Sequence, residues 1–487
     1  MGEVNVRKLF RRLSCALPAL VLLSGGAALA DDTVSTIGAR ALASSWGYDF
    51  LADLTTDIGP RMAGSKAERD AADWAVARLK QAGFDNVHIE KFPVTYWARG
   101  AEEADITQPR LQHLAVAALG HSAPTPAGGI EAEVVVFKSF QALIDAPDGS
   151  LKGKIAVIVQ KTVRAQNGQG YGPAVASRVA GPSVAAKKGA LALVIRSVGT
   201  DNHRIAHTGI TLYDKDAPKI PAAAISNPDA DLLERMAAKG PVKLRLKLDN
   251  KSTEHVDTYT VVGELKGREH PEQVVLLSGH LDSWELGTGA IDDGAGVAIA
   301  AGAAKVIADL GLHPKRTIRV VMFGAEEIGA ASDAYEAAHG KEAANIVIAG
   351  ESDFGAGRIY NAALPAGTLG GNDRLKFTNA PPPAGADFAK QLTAALLPLG
   401  VDMLRKPSEE GGADLEGVHE KDGVPIVDFG QDGTKYFDIH HTADDTLDKV
   451  DPAELAQNIA VWASFAWLAA DSDVDFRALS AAAGATK

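Results

Sequence analysis

Five places in the chain carry residue types that bind metals: His280, Asp292, the pair Glu326-Glu327, Asp353 and the pair His440-His441. Singly, each has an ordinary reading. A lone histidine packs or faces water, Asp292-Asp293 suits a turn, and Glu326-Glu327 suits a solvated helix start. Asp353 suits a loop or cap, and His440-His441 a polar surface. Jointly and in this order they read differently, because each follows an apolar, strand-like run or sits in a loop. Glu326-Glu327 comes soon after Val320-Val321-Met322-Phe323. Burying an unpaired carboxylate there costs several kcal/mol, a cost that a metal offsets. Two imidazoles and three carboxylates suit a pair of zinc ions about 3.5–4 Å apart, with one carboxylate bridging.

Adjacent residues on an extended backbone point opposite ways. One of Glu326 and Glu327 can therefore bind metal while the other faces the substrate as a general base. Zinc lowers the pKa of a shared water, and the free glutamate takes its proton and passes it to the leaving amine. The chain has no H-E-x-x-H and no G-x-S-x-G, which argues against a single-zinc thermolysin type and a serine hydrolase. The glycines from Gly287 to Gly296 lack G-x-G-x-x-G, which argues against a dinucleotide site.

These residues need a sheet to position them. Val274 to Leu277 reads as a buried strand ending just before His280, the place where open α/β sheets put their ligands. Further strands are expected at Tyr259–Leu265, Thr317–Phe323, Asn345–Ala349 and Val424–Phe429, with a helix over Ala295–Leu310. The alternation predicts an α/β fold with a mixed, largely parallel sheet flanked by helices. Upstream, Asp31–Asp57 reads as a weakly amphipathic helical region. Ser65-Lys66-Ala67-Glu68 reads as a capping box opening a helix that Gly83 ends, and Val87–Val94 as a strand. From 124 to 248 short apolar runs punctuated by Gly and Pro replace this texture: Glu133–Phe137, Ile155–Val159 and Leu191–Ile195, with a short helix over Pro182–Lys188. This predicts an inserted domain at 124–248 inside a main domain of 31–123 and 249–487. Pro381 to Pro383 mark a loop. Asp451-Pro452-Ala453-Glu454 opens the last helix, which runs to about Ala470 before a polar, frayed tail.

A chain of 487 residues exceeds one ordinary domain, and 46% hydrophobic with 23% charged residues is a globular balance. The net charge of -13, with no basic run beyond the N-terminus, argues against nucleic acid as a partner. Residues 1–30 read as a signal peptide. Arg7, Lys8, Arg11 and Arg12 form the positive region, Ala16 to Leu23 the apolar run, and Ala28-Leu29-Ala30 the cleavage site. The run is short for a membrane span of about 20 residues. The mature chain is expected to be exported, periplasmic or secreted, and to lack the single cysteine, Cys15, and with it any disulfide.

The motifs H-L-D-S-W at His280, A-I-D-D-G at Ala290, G-A-E-E at Gly324, E-S-D at Glu351 and H-H-T-A-D-D-T at His440 resemble the co-catalytic di-zinc exopeptidases. A weaker I-G-P-R-M-A-G-S at Ile58 extends the likeness to the N-terminal part. The resemblance implies hydrolysis of dipeptides or short peptides with two zinc ions per chain. His280 and Asp353 would hold one ion, Glu327 and His441 the other, with Asp292 bridging and Glu326 as the base. It implies that Asp282 orients His280, that the Asp292–Asp293 peptide is cis, that the inserted segment is a protease-associated-like domain, and that a homodimer is possible. Some relatives carry a tyrosine, for the oxyanion, where this chain has Glu410; Tyr436 or His440 are the substitutes at hand. Trp284 suits either the substrate pocket or packing. His339 and His419 read as surface residues, and Asp445 and Asp448 as capping or solvated. Two rivals share the fold: a glutaminyl-cyclase-type acyl transfer enzyme with one zinc, and a non-catalytic binding protein.

Overall fold

The apolar run at Val274 lies at the centre of the strand His270–His280, in a five-stranded sheet of the computed structural model. The structure describes residues 25–368, 385–408 and 411–484. The leader's basic and apolar regions with Cys15, the Pro381–Pro383 loop and Glu410 lie outside the described residues. In sheet order the strands are Asp85–Ala98, Lys251–Leu265, Arg316–Phe323, His270–His280 and Ile346–Glu351. The last three are parallel and the first two antiparallel, so the sheet is mixed.

The parallel strands are buried on both faces, which is why their sequences are continuous apolar runs. The helices Ala295–Asp309, Pro452–Asp471 and Gly25–Ala43 pack together in the same layered core. The Pro452–Asp471 helix is apolar nearly all round, with Trp462 and Phe465 buried, as a helix enclosed by its neighbours requires. Asp451 caps it by accepting from the Ala453 N–H at 2.8 Å. The described residues beyond this helix are ordered rather than a frayed tail. A further helix, Phe476–Gly484, is anchored by Phe476 against Phe388.

The Ser65 cap forms, accepting from Glu68 N at 3.1 Å, but the reciprocal half of the box does not. Glu68 turns inward and accepts from Gly64 N, Thr258 Oγ1 and Tyr259 N, tying its helix to the sheet.

A second, eight-stranded sheet contains the runs expected in the inserted segment, at Ile130–Phe137, Ile155–Ile158 and Ala192–Arg196. It also takes in Glu102–Gln108, Gln112–Leu114 and Val116–Ala118, upstream of the expected boundary at 124. The crossing point is a continuous antiparallel ribbon. Ala98 pairs with Lys251 in the first sheet, and Glu102 pairs with Leu248 in the second. Two of these early strands are three residues long, too short for any periodicity to show in the sequence. A third, small sheet pairs Ile359–Ala363 with Asp402–Met403 and Asp428–Gln431. Among the described residues no helix is long and apolar enough to cross a membrane.

Candidate metal centre

Parallel register brings the predicted residues together. His280 pairs with Phe323, and Ser278 with Glu351, so three strands end at one edge. The chain leaves them at His280, at Glu326-Glu327 and at Asp353. Asp292 comes back to that edge in the loop before the Ala295–Asp309 helix, through a cis Asp292–Asp293 peptide. His440 and His441 follow the short helix Tyr436–Ile439.

Around His280 Nε2 lie Asp292 Oδ1 at 3.4 Å, Asp353 Oδ1 at 3.5 Å and Glu326 Oε2 at 3.8 Å. His441 Nε2 lies 3.2 Å from Asp292 Oδ2 and 3.0 Å from Glu327 Oε2. Asp292 thus touches both groups. His440 stacks on His441 with ring centroids 3.6 Å apart, and its Nε2 is 3.6 Å from Asp292 Oδ2. Two triads fit a metal ion: His280, Asp292 and Asp353, and Asp292, His440 and His441. The site passes a chemical test for zinc. His280 Nε2, Asp292 Oδ2 and Asp353 Oδ1 are buried and make no hydrogen bond among the described residues. Buried polar atoms left this way are costly, and imidazole with carboxylate is a zinc donor set.

The main chain fixes the ring of His280. Its Nδ1 lies 2.9 Å from the carbonyl of Asp282, which leaves Nε2 facing the cluster. The Asp282 carboxylate lies farther off, its Oδ1 3.7 Å from the same nitrogen, and accepts from the backbone N–H of Glu326 at 3.1 Å and of Glu327 at 3.3 Å. The two glutamates lie in a turn rather than on extended chain, and the turn parts their side chains. Ala325, just before them, has φ +67°, and His441 has φ +61°. Left-handed backbone at such residues costs on the order of 1–2 kcal/mol each and persists where the surroundings enforce it. Asp293 accepts from His280 N at 3.0 Å and from Gly296 N at 2.9 Å.

Burial and charge divide the acids. Asp292 is pushed up by burial, but His440, His280 and His441 outweigh this and hold it well below the usual carboxylate range. Burial pushes Glu327 up to about 7 against the pull of His441. Burial also lifts Glu326 well above its ordinary value; His280 opposes this and Asp353 adds to it.

Some roles differ from the sequence reading, and others that it left open become definite. Asp445 is buried, and its Oδ1 accepts from Ala290 N at 2.8 Å and Ile291 N at 2.7 Å, pinning the loop that carries Asp292. Arg61, of the weaker motif, is fully buried and donates to the carbonyls of Thr288 at 2.8 Å, Gly289 at 2.9 Å and Leu281. Tyr436 places its hydroxyl 3.2 Å from Asp292 Oδ1. Trp284 packs: it joins the second sheet's core, 6.3 Å from Trp97, with its ring 5.9 Å from His441. His339 is not a free surface residue but meets Glu90 at 2.9 Å, and His419 Nδ1 meets the Val424 carbonyl at 2.7 Å.

Comparison with known proteins agrees with this geometry. The profile described as peptidase family M28 matches residues 260–466, the stretch that carries the whole cluster. Carboxypeptidase Q of Bos taurus is 39% identical over 431 residues, covering 87% of this chain and 85% of its own. The Homo sapiens protein of that name is 37% identical, covering 88% and 85%. The crystal structure of a peptidase M28 precursor from Shewanella amazonensis SB2B superposes with a TM-score of 0.85 at 43% identity, covering 92% of this chain and 98% of that one. A zinc aminopeptidase from Bacillus subtilis shares the fold at 18% identity and a TM-score of 0.60, covering 88% and 96%. With likeness along almost its full length, and the profile lying over the clustered histidines and carboxylates, the chain belongs to peptidase family M28 and is an exopeptidase of that family.

Proposed function

We propose that the chain is an exported zinc exopeptidase that hydrolyses dipeptides or short peptides at this centre. The observation that carries the reading is the convergence of His280, Asp292 and Asp353 through buried, unbonded ligand atoms, with Glu326 beside them. His280 and Asp353 would hold one zinc ion, Glu327 and His441 a second, and Asp292 would lie between. When zinc is bound, the chemistry supplied is polarisation of the scissile carbonyl and a lowered pKa for water. Glu326 takes the proton of the attacking water on its carboxylate and delivers it to the leaving amine nitrogen. Its side chain is 20% exposed, within reach of substrate, whereas the Glu327 side chain is 2% exposed and turned to His441. Tyr436 steadies Asp292 and offers its hydroxyl to a developing oxyanion.

One specific observation favours a variant of the second site, with His440 in place of Glu327. Zinc content of Glu327→Ala and His440→Ala decides between them, since loss of one ion marks the ligand.

The test of the main reading is zinc per chain together with hydrolysis of a dipeptide panel, for wild type and Glu326→Ala. Two zinc ions retained in both, with activity lost only in the variant, support it. One zinc per chain would favour the acyl transfer enzyme, and no zinc with no hydrolysis a binding protein. Export rests on residues 1–30 and is tested by N-terminal sequencing of the mature protein; a start near Asp31 supports it. The protease-associated-like character proposed for 124–248 rests on the separate sheet around those residues.

A further inference from the structure

The second sheet's unit reaches into the centre through Tyr171, whose ring lies 5.3 Å from that of His440, through Arg178 and through the loop at Thr208. Thr208 brackets His441 with its main chain: its N–H donates to the His441 carbonyl at 2.9 Å, and its own carbonyl lies 3.3 Å from His441 Nδ1. Thr208 is itself held. Its hydroxyl donates to the Ala118 carbonyl at 2.9 Å and accepts from Arg99 Nη2 at 2.8 Å. Arg178 Nη1 sits 3.3 Å from the Thr208 carbonyl and 3.2 Å from His441 Nδ1. Thr208 is fully buried, and Arg178 and His441 nearly so. The next residue, Gly209, has φ +124°. A Cβ there would lie 2.3 Å from Arg178 Nη1 and 2.7 Å from His441 Nδ1, so only glycine lets the loop approach this closely.

A histidine that binds metal through one ring nitrogen is oriented by what the other nitrogen meets, commonly a backbone carbonyl. His280 has such a carbonyl two residues along its own chain, at Asp282. For His441 the carbonyl comes from a loop between two strands of the second sheet, more than two hundred residues earlier in the chain. His441 also sits in left-handed backbone, so its neighbours must hold it.

We infer that the 207–209 loop positions His441 for its metal ion, so that the second sheet's unit is a working part of the centre rather than only a cover. Thr208 and Gly209 are positioning residues: their contacts are with His441 and the side chains around it, and they act through the imidazole. The inference rests on the proposed assignment of His441 as a ligand.

The experiment measures the affinity of both zinc ions by chelator competition, and the visible spectrum of the cobalt-substituted protein, for wild type, Gly209→Ala, Thr208→Val and His441→Ala. Gly209→Ala is expected to weaken one ion by about 10–100-fold and leave the other unchanged, with an altered cobalt spectrum. Thr208→Val, which loses only the hydroxyl tether, is expected to weaken the same ion by less. Should Gly209→Ala fail to fold, Thr208→Val alone decides. Wild-type affinity for both ions and an unchanged cobalt spectrum in the folded variants would overturn the inference. His441→Ala separates the two levels. If it keeps both ions, the ligand assignment fails and the clamp with it. If it loses one ion while the loop variants lose none, only the clamp fails.

Discussion

At the scale of single residues, the centre divides its work between groups of the same type. Glu326 and Glu327 are neighbours in sequence, yet one faces His280 and the other His441. Glu326→Gln is expected to lower kcat by about 10²–10⁴-fold with zinc content unchanged, because it removes the proton carrier and little else. Steady-state rates with metal analysis check this, and zinc loss in the variant would show that Glu326 is a ligand instead. A second prediction concerns Glu68, outside the centre. Burial is the main force lifting its carboxyl from 4.5 to about 8, and Asp282 adds to it. The folded protein therefore keeps a proton that the unfolded chain has already released, and stability falls as pH rises from 4.5 to about 8. Glu68→Gln cannot titrate, so its urea midpoint is expected to vary less with pH over that window. Equal slopes for both proteins, measured with a chelator present, would count against it. The five places proposed to bind metal were legible because each follows an apolar run or sits in a loop, and because they occur together in one order. Asp445 was not, since nothing around it in sequence shows that its carboxylate meets Ala290 and Ile291, some 154 residues away.

Elements explain why those residues meet. Three parallel strands end in register; His280 closes the first, and short segments after the other two carry Glu326-Glu327 and Asp353. Continuous apolar runs made these strands readable, and the cap at Asp451 made the last long helix readable. The early strands of the second sheet were hidden because a three-residue strand has no period. The turn at Glu326 was also hidden: Ala325 adopts positive φ under tertiary constraint, where its own preference is otherwise. The loop from Leu281 to Gly289 has no regular structure of its own, and Arg61 supplies its order through three loop carbonyls. Arg61→Met strips these buried carbonyls of their donor. The loss is expected to be about 3 kcal/mol or more, since each unsatisfied buried group costs about 1–3 kcal/mol. Urea unfolding measures it, and a change under about 1 kcal/mol would mean that water replaces the guanidinium.

Over the whole molecule, the two larger sheets meet around the centre, and Trp284 packs at that meeting. It follows His280 by four residues in the first unit, yet its indole is buried in the core of the second, beside Trp97. Gly120, next to the short strand Val116–Ala118, leaves the room it needs: a Cβ there would lie 2.0 Å from the indole ring. A rigid, buried ring cannot step aside as a flexible chain end would. Gly120→Ala is therefore expected to lower stability by about 1–3 kcal/mol through overpacking. Because the indole also contacts His441, the same substitution is expected to shift tryptophan emission and weaken zinc binding. Leu111→Ala, at a leucine 60% exposed, serves as control and is expected to stay within about 0.5 kcal/mol of wild type. The two variants are compared by urea unfolding, emission spectra and zinc titration. A destabilised Gly120→Ala with wild-type zinc affinity would mean that the units pack together without sharing the centre. Loss of both together would mean that the contact between the units is part of what holds the metal.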